Sequence, residues 1–250
     1  MSRTIGNHPA PTQVPWRIVV SCEHGGNQIT GAFASFFTGQ AALLASHRGW
    51  DPGAQQLGEE LADALGAPFF GSTHSRLLID LNRSIGHPKL HAPAIAALPP
   101  AVRRKIASTL YFPHRDAIAA TIAHAIDTGA NVLHIASHSF TPILDDVVRQ
   151  AEVAWLYDPR RPAEKHFAGL WRTALLSLEP TWRLRCNYPY QGVGDGLTTS
   201  LRRRHDAARY LGIELEVNQA FVQPGGAGWD MLRSAVITSC QVALQTAGMR

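Results

Sequence analysis

The chain reads as an α/β protein, a three-layer sandwich around a mostly parallel or mixed central sheet. Short apolar or β-branched runs alternate with longer segments of helical periodicity, the pattern of a sheet covered by helices on both faces. The 250 residues are 45% apolar and 17% charged. That is enough for one large core, and no Pro/Gly/Ser tract or charge run divides the chain, so residues 1–250 are expected to form a single domain.

The expected strands are Arg17–Ser21, Leu77–Asp80, Val132–Ser137, Val153–Tyr157 and Ile213–Val217. Between them, Ala54–Leu65 carries Leu57, Leu61 and Leu65 on one helical face. Asp51-Pro52 ahead of it suits an N-cap followed by proline at the first helical position, and Gly66 suits its stop. His114–Thr128, Ala163–Leu178 and Trp229–Ala247 are the other long helices expected.

Composition narrows function by exclusion. A formal net charge of +4 comes from scattered basic residues, with one short run at Arg202–His205. No aromatic interleaving accompanies it, so no nucleic-acid partner is expected, whereas a small anionic substrate suits the charge. No apolar stretch is long enough to span a membrane. The amino-terminal run Met1–Pro9 lacks the apolar segment of a signal peptide. Three cysteines in no zinc or redox spacing read as reduced thiols, and the cytoplasm is the expected compartment. Nothing in the sequence sets the oligomeric state.

In a parallel α/β sheet, ligands gather at the carboxyl ends of the strands. At the first such end stand Glu23 and His24, followed by Gly25 and Gly26, which are read as permitting a sharp turn. The run "SRLLIDLNRS" brings Asp80, Asn82 and Arg83, with Arg76 before them; arginine suits a carboxylate because its guanidinium pairs bidentately. Asp80 is equally readable as the structural partner of an arginine. In "NVLHIASHSF", His138 follows the apolar run between two serines, while His134 lies deeper and reads as a core histidine. In "GIELEVNQAF", Glu214, Glu216 and Asn218 alternate onto one face, and carboxylates inside a sheet demand partners or a cation. Glu216, nearer the carboxyl end, is the better catalytic candidate. Together these ends suit a metal hydrolase of the zinc-peptidase type, in which histidines and a carboxylate hold Zn²⁺ and a second carboxylate accepts the proton of water.

The runs "EHGG", "RLLIDLNRS", "HIASHSF", "GVGDGLT" and "GIELEVNQ", in that order from about Val19 to Phe221, resemble the N-formylglutamate amidohydrolase family. The resemblance implies a fold like the zinc-dependent exopeptidases, within the phosphorylase/hydrolase-like group. It also implies hydrolysis of N-formyl-L-glutamate, or a related N-acyl amino acid, to formate and L-glutamate, as in histidine breakdown. By position it implies His24 and His138 as metal ligands, Asn82-Arg83 as the grip on the substrate carboxylate, and Glu216 as general base. The chain departs from the H-x-x-E spacing of carboxypeptidases, because Asn27 stands three places after His24. The third ligand that the resemblance implies is Asp51, in "RGWDPGA", at the start of a helix, with Glu23 as its rival or as a support for His24. Arg76 is expected to join Asn82-Arg83 in holding the substrate carboxylate, His114, with Arg115, to line the pocket and bind substrate, and the loop Gly192–Thr199 to cover it. The alternative is an inactive or metal-free relative that binds carboxylates with the same arginines.

Overall fold

Every residue of strand β8, Tyr210–Asn218, is buried, as a strand must be when both faces of its sheet are covered. It lies in a six-stranded sheet with β1 (Trp16–Cys22), β2 (Phe69–Gly71), β3 (Asn131–Phe140), β6 (Val153–Leu156) and β7 (Leu184–Cys186), in the order β2-β1-β3-β8-β6-β7. The structure is a computed structural model that describes residues 14–29, 31–222 and 227–249. The Met1–Pro9 run and parts of the proposed single domain therefore lie outside the described residues. Within this sheet the strand pairs are parallel except β6 with β8, which is antiparallel, so the sheet is mixed. A separate hairpin pairs β4 (Ile143–Leu144) with β5 (Val147–Val148).

Helices cover both faces. On one, α2 (Ala54–Leu65), α6 (Pro162–Leu178) and α8 (Ala227–Thr246) pack Leu57, Leu61, Phe167, Trp171 and Val236 against Ile135, Ile213, Leu215 and Val217. On the other, α5 (Phe112–Asp127) and α7 (Leu197–Arg202) bring Ile118, Ile122 and Leu201 onto Val19, Val132 and Tyr210. The short helices α1 (Ala41–Ala45), α3 (Pro93–Ala96) and α4 (Pro100–Ile106) belong to a smaller cluster beside the sheet. The expected three-layer α/β architecture is the one observed.

Two local expectations are corrected. Leu77–Asp80 is a turn, not a strand. Leu77, Leu78 and Ile79 are buried as expected, but in the side cluster with Phe37, Ile95, Ile106 and Tyr111. An apolar run of this length satisfies a buried turn as well as a buried strand. Asp51 does not cap α2 with its side chain; the helix begins at Ala54, with Gly53 at the N-cap and φ of 81°. Gly53 also abuts the Trp229 ring, 2.8 Å from where a Cβ would stand. The Asp51 carboxylate is thereby left free to point elsewhere. Strands β2 and β7, three residues each, carry no period a sequence reading could detect.

Candidate metal centre and active site

Strands β1, β3 and β8 lie side by side and parallel, so their carboxyl ends meet at one edge. His24 follows β1 by two residues, His138 stands near the end of β3, and Glu216 near the end of β8. Asp51 enters from the turn before α2, where its backbone N–H donates to the His24 carbonyl at 2.9 Å. The turn after β1 needs its glycines for space rather than for handedness. Gly25 and Gly26 do not have positive φ, but a Cβ on Gly26 would fall 2.3 Å from the Thr73 carbonyl oxygen. On Gly25 it would fall 2.9 Å from the carbonyl oxygen of Ser72. Backbone packed that closely holds His24 in place.

His24, Asp51 and His138 are all buried, and one ligand atom of each lies within 4.8 Å of the others. Asp51 Oδ2 is 3.3 Å from His24 Nδ1 and 3.0 Å from His138 Nδ1. The opposite edge of each ring also meets a carboxylate. His24 Nε2 is 2.7 Å from Asp80 Oδ1, and His138 Nε2 is 2.9 Å from Glu23 Oε2. Two imidazoles and a carboxylate are a donor set that zinc accepts, and each imidazole is backed by an acid. Burial works against ionised Asp51, but His24, His138 and Arg76 overcome it and hold its carboxyl well below the usual range. Burial likewise opposes a charged His138, yet Asp51 and Glu23 raise it well above an ordinary histidine. A metal must displace that proton, as metal binding to histidine does. The residues present therefore fit a divalent ion on the Nδ1 side of both rings, and that side carries Asp51, not Glu23.

These groups open onto a cavity of about 310 Å³. Glu214 and Glu216 both line it, on different terms. Thr198 Oγ1 donates to Glu214, whereas Glu216 Oε2 is buried without a hydrogen-bond partner. Burial, aided by Asp51 and Glu214, pushes the Glu216 carboxyl up to about 8 against the pull of His138. Asn82 and Arg83 line the same cavity. They are tied to the glycine-rich loop: Arg83 Nη1 donates to the Asp195 carbonyl at 2.9 Å, and Asn82 Oδ1 accepts from Leu197 N–H at 2.7 Å. Gly194 and Asp195 of that loop reach the cavity wall.

Other expected pocket residues are placed differently. Arg76 lines the cavity, but its guanidinium is committed to Asp80 at 2.8 Å and to Asp51 at 3.3 Å. His114 and Arg115 stand behind the wall; His114 Nε2 is 3.8 Å from Glu23 Oε1, and Arg115 donates to the carbonyl of Leu81. Glu23 faces His138 rather than its neighbour His24. His134 is a core residue, 2.8 Å from Ser21 Oγ and 2.9 Å from the Tyr210 hydroxyl. His47, Tyr190 and Gln219 also line the cavity. His47 and Tyr190 come from loops with no periodicity or motif to mark them, whereas Gln219 closes the run "GIELEVNQ" but is not singled out by it.

A model of the N-formylglutamate amidohydrolase family matches residues 16–222, most of the chain and the span in which His24, Asp51, His138 and Glu216 lie. The chain belongs to this family. As an N-formylglutamate amidohydrolase family member it is a hydrolase of the class that acts on amide bonds. Among solved structures, the Atu2144 gene product of Agrobacterium tumefaciens is similar at 24% identity, over 94% of this chain and 93% of that one, with a TM-score of 0.79. An N-formylglutamate amidohydrolase from Ralstonia eutropha JMP134 is similar at 16% identity, over 95% and 96%, with a TM-score of 0.66. At these identities the likeness speaks to the fold. A search of curated proteins finds no match. Among the described residues no helix is long and apolar enough to cross a membrane.

Proposed function

We propose that this chain is a zinc-dependent amidohydrolase that cleaves N-formyl-L-glutamate to formate and L-glutamate, or a closely related N-acyl amino acid to its carboxylic acid and the free amino acid. The observation that carries this is the meeting of two imidazoles and a carboxylate with an unpartnered acid, Glu216, at one cavity wall, in a chain of this family. His24, Asp51 and His138 would hold the metal. When bound, a divalent metal supplies Lewis acidity to an amide carbonyl and acidifies water at neutral pH.

The chain's own groups do the rest. Glu216 takes a proton from the attacking water and returns it to the nitrogen of the breaking C–N bond, so the amino acid leaves as an amine and the formyl group as formate. Glu216 lines the cavity with Oε2 unpartnered, which suits it to both halves of that transfer. Arg83 and Asn82 orient the substrate carboxylate, and the loop bearing Asp195 fixes their positions. Arg76 keeps Asp51 and Asp80 ionised and in place.

The test is zinc content of the purified protein together with formate release from a panel of N-formyl amino acids. Stoichiometric metal and fastest turnover of the glutamate derivative are expected. A protein that takes up no metal and releases no formate from any of them would instead be a carboxylate-binding relative.

A further inference from the structure

Glu23 is fully buried, and neither of its carboxylate oxygens has a well-aligned hydrogen bond. Two histidine rings face it, with His138 Nε2 at 2.9 Å and His114 Nε2 at 3.8 Å. An acid buried with so few partners is costly to the fold unless it does something else. We propose that Glu23 is a positioning residue for the metal centre: it accepts the Nε2–H of His138 and so presents His138 Nδ1, as the unprotonated ligand atom, to the site shared with Asp51 and His24. The inference rests on the metal reading above.

The geometry of His138 supports it. Its ring lies between two acids, with Nδ1 facing Asp51 at 3.0 Å and Nε2 facing Glu23 at 2.9 Å. The Asp51 side is the aligned hydrogen bond, and the Glu23 side is close but unaligned. A neutral imidazole carries its proton on one nitrogen, and the partner of that nitrogen decides which one it is. His24 is arranged the same way, with Asp80 at Nε2, but Asp80 is also held by Arg76. Glu23 has no arginine against it; His114, at the start of α5, occupies that side. The pairing therefore joins β1, β3 and α5 behind the cavity.

The test uses the metal alone. Zinc is titrated into metal-free wild type, Glu23→Gln and Asp51→Ala against a chromophoric chelator, and thermal melts of the metal-free proteins check folding. Glu23→Gln is expected to weaken zinc binding by about 10- to 100-fold, in line with loss of an acid behind a ligating histidine. Asp51→Ala should bind far more weakly still. Equal affinity in wild type and a folded Glu23→Gln would overturn the positioning role while leaving the metal site intact. Failure of the wild type to bind zinc would overturn both readings. If Glu23→Gln does not fold, ¹⁵N-resolved imidazole spectra of the zinc-loaded wild type decide alone. A His138 proton on Nε2 is required, and a proton on Nδ1 excludes the inference.

Discussion

His138 and Glu216 are register partners on the adjacent parallel strands β3 and β8, so their side chains leave the same face of the sheet side by side. A step of two residues along a strand moves a side chain about 6–7 Å. Glu214, opposite Ala136 in the same register, is therefore one step farther from the histidine.

Glu216→Gln is expected to retain the metal and the fold but to lower kcat about 10²-fold or more, the usual scale of a lost general base. Glu214→Gln should act mainly on stability, because it disturbs the bond from Thr198. Turnover of N-formylglutamate by both variants, after metal content is matched, checks the assignment. Normal turnover in the Glu216 variant with loss in the Glu214 variant would reverse the two roles.

His138→Ala should abolish stoichiometric metal binding while the circular dichroism spectrum stays that of the wild type. The side chain stands at a cavity wall, and the strand that carries it is held by β1 and β8 on either side. Metal analysis after gel filtration is the measurement, and a variant that still carries one equivalent would place the metal elsewhere.

Arg83→Ala should raise KM for carboxylate substrates, with kcat changed less. Loss of a charge-assisted contact to a carboxylate costs about 2–4 kcal/mol. That corresponds to roughly 30- to 1,000-fold in affinity. An equal loss on a substrate whose carboxylate has been amidated would assign the arginine to the loop contact with Asp195 instead.

His134 predicts a pH dependence. Burial lowers it from 6.5 to about 4. The unfolded chain thus binds the proton that the folded chain refuses between those values. Its contribution to stability is complete above about pH 6.5 and is lost as pH falls towards 4, by about 3 kcal/mol in all. Urea unfolding of the metal-free protein at pH 7 and pH 4.5, compared with a His134→Gln variant, reads this slope. The variant should lose less stability on acidification, and parallel slopes would show that other groups dominate.

Gly26→Ala is expected to destabilise the turn that carries His24, because the added Cβ meets the Thr73 backbone rather than a side chain that can move. A loss of about 1–3 kcal/mol is the usual cost of overpacking, read as a lower melting temperature. An unchanged melting temperature would show that the turn relaxes.

Periodicity and local chemistry were enough to specify the layers of this protein and most of the groups at its cavity. Leu57, Leu61 and Leu65 declare a helix, the acid–apolar alternation of β8 declares two chemically different faces, and His138 after its apolar run declares a strand-end side chain. Such signals are local, so a sequence carries them whole. What each group faces was decided only in three dimensions. Leu77–Asp80 has the composition of a strand and becomes a turn, because the side cluster buries it without a neighbouring strand to pair with. Asp51 has the setting of a helix cap and becomes a partner of two histidines, because Gly53 takes the cap position. Glu23 adjoins His24 in the chain but contacts His138, because residues next to each other at a strand end point in different directions while neighbouring strands bring distant residues together. Contacts across 27 to 115 residues of chain, from His24–Asp51 to Asn82–Leu197, are set by the packing of the sheet, and no local pattern encodes them.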